Sequence, residues 1–88
     1  MNSHFTISEN ISFRQVGDEV FLLHRDNNSV FNLNATATFI WNGIQAGKDV
    51  QVIITELSEQ FEIDTETASD DTNDLITRLL DSKILLPD

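Results

Sequence analysis

The side chains that could do acid–base or metal chemistry are few, and they are poorly spaced for it. His4 and His24 are the two histidines of the chain. A metal centre needs ligands that converge at short, set spacings, and these two are far apart in sequence. His4 falls in a terminal segment expected to fray and His24 at a strand end, so neither is read as a ligand. Asp70, Asp71 and Asp74 could be imagined as an acid–base pair or a cation site. A helix face with no cleft around it gives a carboxylate no reason to change its pKa, so they are read as a solvated surface. Asp26-Asn27-Asn28 lacks the ligand spacing and closing glutamate of a calcium loop. The chain has no cysteine, which removes disulfides, thiolate metal sites and cysteine nucleophiles. With no phosphate loop or nucleophile triad, the expectation is a protein with no catalytic residue, metal or cofactor, and not an enzyme.

What remains is binding, and charge restricts the partners. Fifteen acids stand against five bases, a net of −10 in 88 residues. Residues 1–48 carry −1 of this and residues 49–88 carry −9. Phosphate neutralisation by Lys and Arg dominates nucleic-acid affinity, so the second half should be repelled by nucleic acid and by anionic membranes. No run approaches the ~18 apolar residues of a membrane span, and Met1-Asn2-Ser3-His4 lacks a signal-peptide pattern. The expected address is the cytoplasm. The length suits one domain, spanning 1–88 with a folded core over 10–86.

Hydrophobic period assigns the elements. Ile11-Ser12-Phe13-Arg14 alternates as a strand with one wet face. Gly17-Asp18 suits a two-residue II′ hairpin turn. Glu19–His24 contains a continuous apolar run, which predicts a central strand covered on much of both faces. Asp26-Asn27-Asn28 is a turn and Ser29–Leu33 is the third strand of an antiparallel meander. From Asn34 the period becomes helical. Asn34 caps a helix that buries Ala37, Ile40, Trp41 and Ile44 and stops at Gly47. Trp41 is read as core, with an indole N–H that needs a partner. Asp49 caps a second helix striped by Val50, Ile53, Ile54, Leu57 and Phe61. Asp64 or Thr65 caps a third that buries Ala68, Thr72, Leu75, Ile76, Leu79 and Leu80 and ends at Ser82-Lys83. Ile84-Leu85-Leu86 can add a short strand.

The order βββααα, with the last two helices close in sequence, predicts an α+β, winged helix-turn-helix-like domain: a three-stranded antiparallel sheet followed by three helices. Such a fold suggests DNA binding, yet Asp64–Ser82 carries six acids against Arg78, the wrong sign for a recognition helix. The sheet offers another surface. Edge strands are usually guarded by charge, proline or bulges. The first strand has Arg14, whereas Ser29-Val30-Phe31-Asn32-Leu33 has neither charge nor proline. Pattern alone leaves open whether terminal residues, a homodimer mate or an added strand covers that edge.

At these residues the chain resembles a known family. Val30-Phe31-Asn32-Leu33-Asn34-Ala35-Thr36-Ala37, then Ile40-Trp41, Ile44, Gly47, Val50, Ile53 and Ile54, is similar to the PqqD family over about Ile11 to Leu86. The resemblance implies a RiPP recognition element, a non-catalytic peptide chaperone that binds the leader segment of a ribosomally made precursor and presents it to a modifying enzyme. Examples of such enzymes are a radical enzyme, a cyclodehydratase and a leader protease. It implies that the leader adds as a strand to Ser29, Val30, Phe31, Asn32 and Leu33, and that the third helix walls the groove with exposed or half-exposed Asp71, Asp74, Leu75 and Arg78. Only an outward-pointing backbone donor of Val30 or Asn32 can matter, and the sequence leaves open which of the two it is. Phe31 stands where the family often has tyrosine, and the acidic third helix suggests a leader with basic residues or an enzyme docking through a basic patch. A further alternative is an acyl carrier, which needs a serine at a helix start; the Asp-Ser step here is Asp81-Ser82, near the end of the third helix.

Overall fold

A computed structural model describes residues 5–26 and 28–87, so His4 and Asn27 lie outside the described residues. In chain order the elements are β1 (Phe5–Ile7), β2 (Ile11–Val16), β3 (Glu19–His24), β4 (Ser29–Leu33), α1 (Ala35–Gln45), α2 (Val50–Gln60), α3 (Thr65–Asp81) and β5 (Leu85–Pro87). The meander and the three helices stand as the period of the sequence requires, in an α+β arrangement. Strands β2, β3 and β4 form an antiparallel sheet in that order. Gly17 has φ +62 while Asp18 is not in the left-handed region, the II′ signature, and Asn28 at φ 58 turns the chain into β4.

Each helix begins on a side-chain cap. Asn34, Asp49 and Asp64 accept from the backbone N–H groups of Ala37, Gln51 and Thr67, satisfying donors that a helix start leaves orphaned. Each helix also ends on a left-handed residue. Gly47 follows α1 at φ 77, with Gly47 N–H donating to Ile44 O and Lys48 N–H to Gly43 O, a Schellman closure. Glu62 and Lys83 take the same place after α2 and α3 at φ 54 and 63, positions that glycine fills at lower steric cost.

The helices pack on one face of the sheet. Val20 and Leu22 of β3 and Leu33 of β4 meet Ile40, Trp41, Ile53, Leu57, Leu75 and Leu79 in a single core. Trp41 is fully buried, with Phe13 edge-on at 5.8 Å between ring centroids. The hydrogen-bond partner expected for its indole N–H is missing: Nε1 is buried with none among the described residues.

Two expectations need correction. β3 is central but covered on one face only. Val20, Leu22 and His24 are buried while Glu19, Phe21 and Leu23 are exposed, because all three helices lie on the same side. The terminal strand is real but runs over Leu85–Pro87, and it has an unforeseen partner. Phe5, Thr6 and Ile7 of β1 pair with Pro87, Leu86 and Leu85, forming a separate two-stranded sheet that reaches upstream of residue 10. Among the described residues no helix is long and apolar enough to cross a membrane.

Gly43 of α1 lies tight against Ile53 of α2. A Cβ there would lie 2.8 Å from Ile53 Cγ1 and 3.1 Å from its Cδ1. Gly43→Val should therefore destabilise the fold by about 2 kcal/mol through overpacking, measured by denaturant unfolding. Adding Ile53→Ala should restore part of that loss.

Candidate functional site

The hairpin sets the phase of the whole ladder. A two-residue loop makes Val16 and Glu19 a hydrogen-bonded pair, and at the far end Arg25 N–H donates to Asn10 O at 2.9 Å. With the observed register, Glu19, Phe21 and Leu23 direct their backbone groups to β2, and Val20, Leu22 and His24 direct theirs to β4. Their partners Leu33, Phe31 and Ser29 therefore bond inward. Val30 and Asn32, one position out of phase and two residues apart, both aim N–H and C=O away from the sheet. The choice left open by the sequence disappears, because both donors point outward.

No strand among the described residues pairs with that outer edge, since β4 ends the order β2-β3-β4. The C-terminal strand that could have sealed it is held by β1 instead. Beyond Leu33 the edge runs into Asn34, and there a groove of about 210 Å³ opens between the start of α1 and one side of α3. Thr36, Ala37 and Ile40 line its α1 side, and Asp71, Asp74, Leu75 and Arg78 its α3 side. Thr38 secures the junction through its buried hydroxyl, which donates to Leu33 O at 3.1 Å.

Of the residues singled out in sequence, the groove brings Asp71, Asp74, Leu75 and Arg78 together, while Ser29–Leu33 form the adjoining edge. Leu75 is not half-exposed as expected. It is 3% exposed, a core residue that shows the groove only a margin, because the stripe that packs α3 on α2 includes it. Asp71, Asp74 and Arg78 are exposed, and among the described residues the one ion pair is Lys48–Glu56, so none of the three is tied to another. The cap Asn34 and the α1 residues Thr36, Ala37 and Ile40 also line the groove and were not among the candidate site residues read from sequence. Their signal was the capped strand-to-helix step itself, which sets the first turn of α1 beside the edge.

Among the described residues no cluster of His, Asp or Glu could hold a metal ion, and His24 is buried with its Nδ1 accepting from Asp26 N–H. Ser82 is the C-cap of α3, the opposite end of a helix from the one a carrier serine occupies.

The model of the family described as Coenzyme PQQ synthesis protein D (PqqD) matches residues 19–85. The chain belongs to the PqqD family. Solved structures similar to this PqqD-family chain include TbiB1 in complex with the TbiA(beta) leader peptide, at 28% identity and a TM-score of 0.84 over 91% of this chain and 93% of that one. Another is a lasso peptide synthetase B1 complexed with the leader peptide, at 25% identity and a TM-score of 0.87 over 96% and 99%. No curated protein matches.

The wall helix of this PqqD-family member carries a pH-dependent cap. Hydrogen bonds from the Thr67 hydroxyl and backbone N–H hold the Asp64 carboxyl below its ordinary value of 3.8. A depressed carboxylate pKa stabilises the fold above the ordinary value, and that contribution is lost as pH falls through the folded value. Asp64→Ala should therefore be less stable than the parent at neutral pH, with the gap closing below about pH 4. Thermal melts of both proteins across that range check the sign.

Proposed function

We propose that this chain is a non-catalytic leader-peptide-binding module. It captures a segment of a ribosomally made precursor as an added strand on β4 and presents the remainder to a peptide-modifying enzyme, of which a radical enzyme, a cyclodehydratase and a leader protease are the candidate classes. The observation that carries this reading is the unsealed outer edge of β4, with Val30 and Asn32 offering outward donors and acceptors next to a groove. The leader peptides named with TbiB1 and with lasso peptide synthetase B1 support it.

Ser29, Val30, Phe31, Asn32 and Leu33 act as the template strand. In an antiparallel pair, directly opposed side chains lie on the same face. A leader residue opposite Phe31 therefore turns towards the helices and the groove, where Ala37 and the margins of Ile40 and Leu75 offer apolar contact. Asp71 and Asp74, free of ion pairs, favour a basic leader side chain, and Arg78 allows an acidic one beside it. The ladder sets register and the groove supplies selectivity at alternate positions. Ordering a disordered leader costs about 2 to 5 kcal/mol, so a few anchors must dominate affinity. DNA binding has no support from a wall helix that is net −5 over residues 64–82, and the cytoplasm is the proposed place of action.

Either Val30→Pro or Asn32→Pro removes an outward donor at an edge position where proline is tolerated. Each should weaken binding of the cognate leader about tenfold, with the melting curve retained. Titration of a labelled leader checks this, and unchanged affinity in both folded variants would discard strand addition. Affinity should also fall as salt rises from about 50 to 150 mM, where screening shortens to about 8 Å. Asp71→Asn with Asp74→Asn should flatten that dependence.

A further inference from the structure

The solvent face of the sheet, turned away from all three helices, is unusually apolar for an antiparallel sheet with one wet side. Val30 is 66% exposed, Phe21 39% and Leu23 36%. Leu23 lies directly opposite Val30, and Phe21 opposite Asn32. Both are non-hydrogen-bonded pairs, in which side chains approach most closely. Arg14, opposite Phe21 on the other side, and Ser12 join them around a shallow depression of about 200 Å³. Exposed apolar side chains that adjoin one another and are rimmed by polar residues are the kind of surface that interaction sites use.

We propose that this face is a second recognition surface for the leader, reading the side chains that the groove does not. The inference rests on the strand-addition reading above. The occupant follows from the pleat. Any strand added to β4 must alternate its side chains between the two faces, and the residue opposite Val30 is set down on the solvent face beside Val30, with Leu23 one strand further in. The patch begins at the margin where the outward backbone groups are, so an added strand is the segment that reaches it without any further docking. Arg14 is the cation of the patch, and the rest of its lining is apolar or neutral. The fitting side chain is thus large and apolar, aromatic by preference, since an aromatic ring can also meet a guanidinium. The leader class selected is one with apolar residues of both parities around the position facing Val30: one set for the groove and one for the open face.

The test uses the full chain and a display library of random 15-residue peptides. Selected peptides are resynthesised with a fluorophore and titrated against the parent and the double variant Phe21→Thr/Leu23→Thr, whose threonines keep strand propensity. The expected result is about a tenfold loss of affinity in the double variant with an unchanged melting curve. Selection on that variant should lose the apolar preference at the parity facing Val30 and keep it at the groove parity. Unchanged affinity overturns the inference. So does a parent that sediments as a dimer and becomes monomeric in the double variant, which would assign the face to a second copy. If the selected peptides bind Asn32→Pro as well as the parent, strand addition itself fails, an outcome distinct from the failure of the second surface alone.

Discussion

The structure depends on where one row of backbone hydrogen-bonding groups finds its partners. Every strand carries two such rows, and a buried polar group left unpaired costs stability. β3 satisfies both of its rows, one with β2 and one with β4. β4 satisfies the inward row through Ser29, Phe31 and Leu33, and its outward row of Val30 and Asn32 has no strand partner among the described residues. The strand that could have closed the sheet, β5, is instead paired with β1 in a separate two-stranded sheet. The pairing of β1 with β5 thus keeps Leu85–Pro87 off the edge of the meander.

A small chain also cannot cover everything. Three helices are enough to bury one face of a three-stranded sheet, and the core they make takes in all the large aliphatic side chains of α2 and α3 that face inward. The opposite face receives no helix, so Phe21 and Leu23 stay in water although they sit in the central strand. The edge, the groove and the bare face are consequences of one economy: a single layer of helices on a single sheet. The groove lies between the start of α1 and α3, which packs on the core, and the Thr38 bond to Leu33 O fixes the step from β4 into α1.

Most of the fold was legible because its signals are local. The change from alternating to helical period at Asn34, the three carboxylate or amide caps, and glycine at the hairpin and after α1 each depend on residues a few positions apart. Two features depended on distant partners and were not legible. β1 is three residues long, too short to show a period, and its partner lies at the other end of the chain. The run Val20-Phe21-Leu22-Leu23 looks the same whether one face or both are covered, because periodicity reports side-chain type and not what packs against it. Leu75 shows the same limit within a helix. Its place on the stripe predicted burial, while its assignment to the groove predicted exposure, and packing against α2 decided between them. The site was legible as an unguarded edge. Its α1 side was not, since Thr36 and Ala37 carry no chemistry of their own and matter only through where the cap places them.

Charge then separates this molecule from others that share its helical geometry. A helix-turn-helix pair presents its last helix to a partner, and the sign of that helix decides which partners are admissible. On α3 the exposed side chains Glu66, Asp70, Asp71, Asp74 and Asp81 outnumber Arg78, so approach of a phosphate backbone is opposed along the whole length of the element. The same field attracts a basic peptide over about a Debye length and leaves the contact energy to be supplied by backbone pairing and apolar anchors. One acidic helix placed beside one open edge therefore both opposes nucleic acid and suits the proposed capture of a peptide strand.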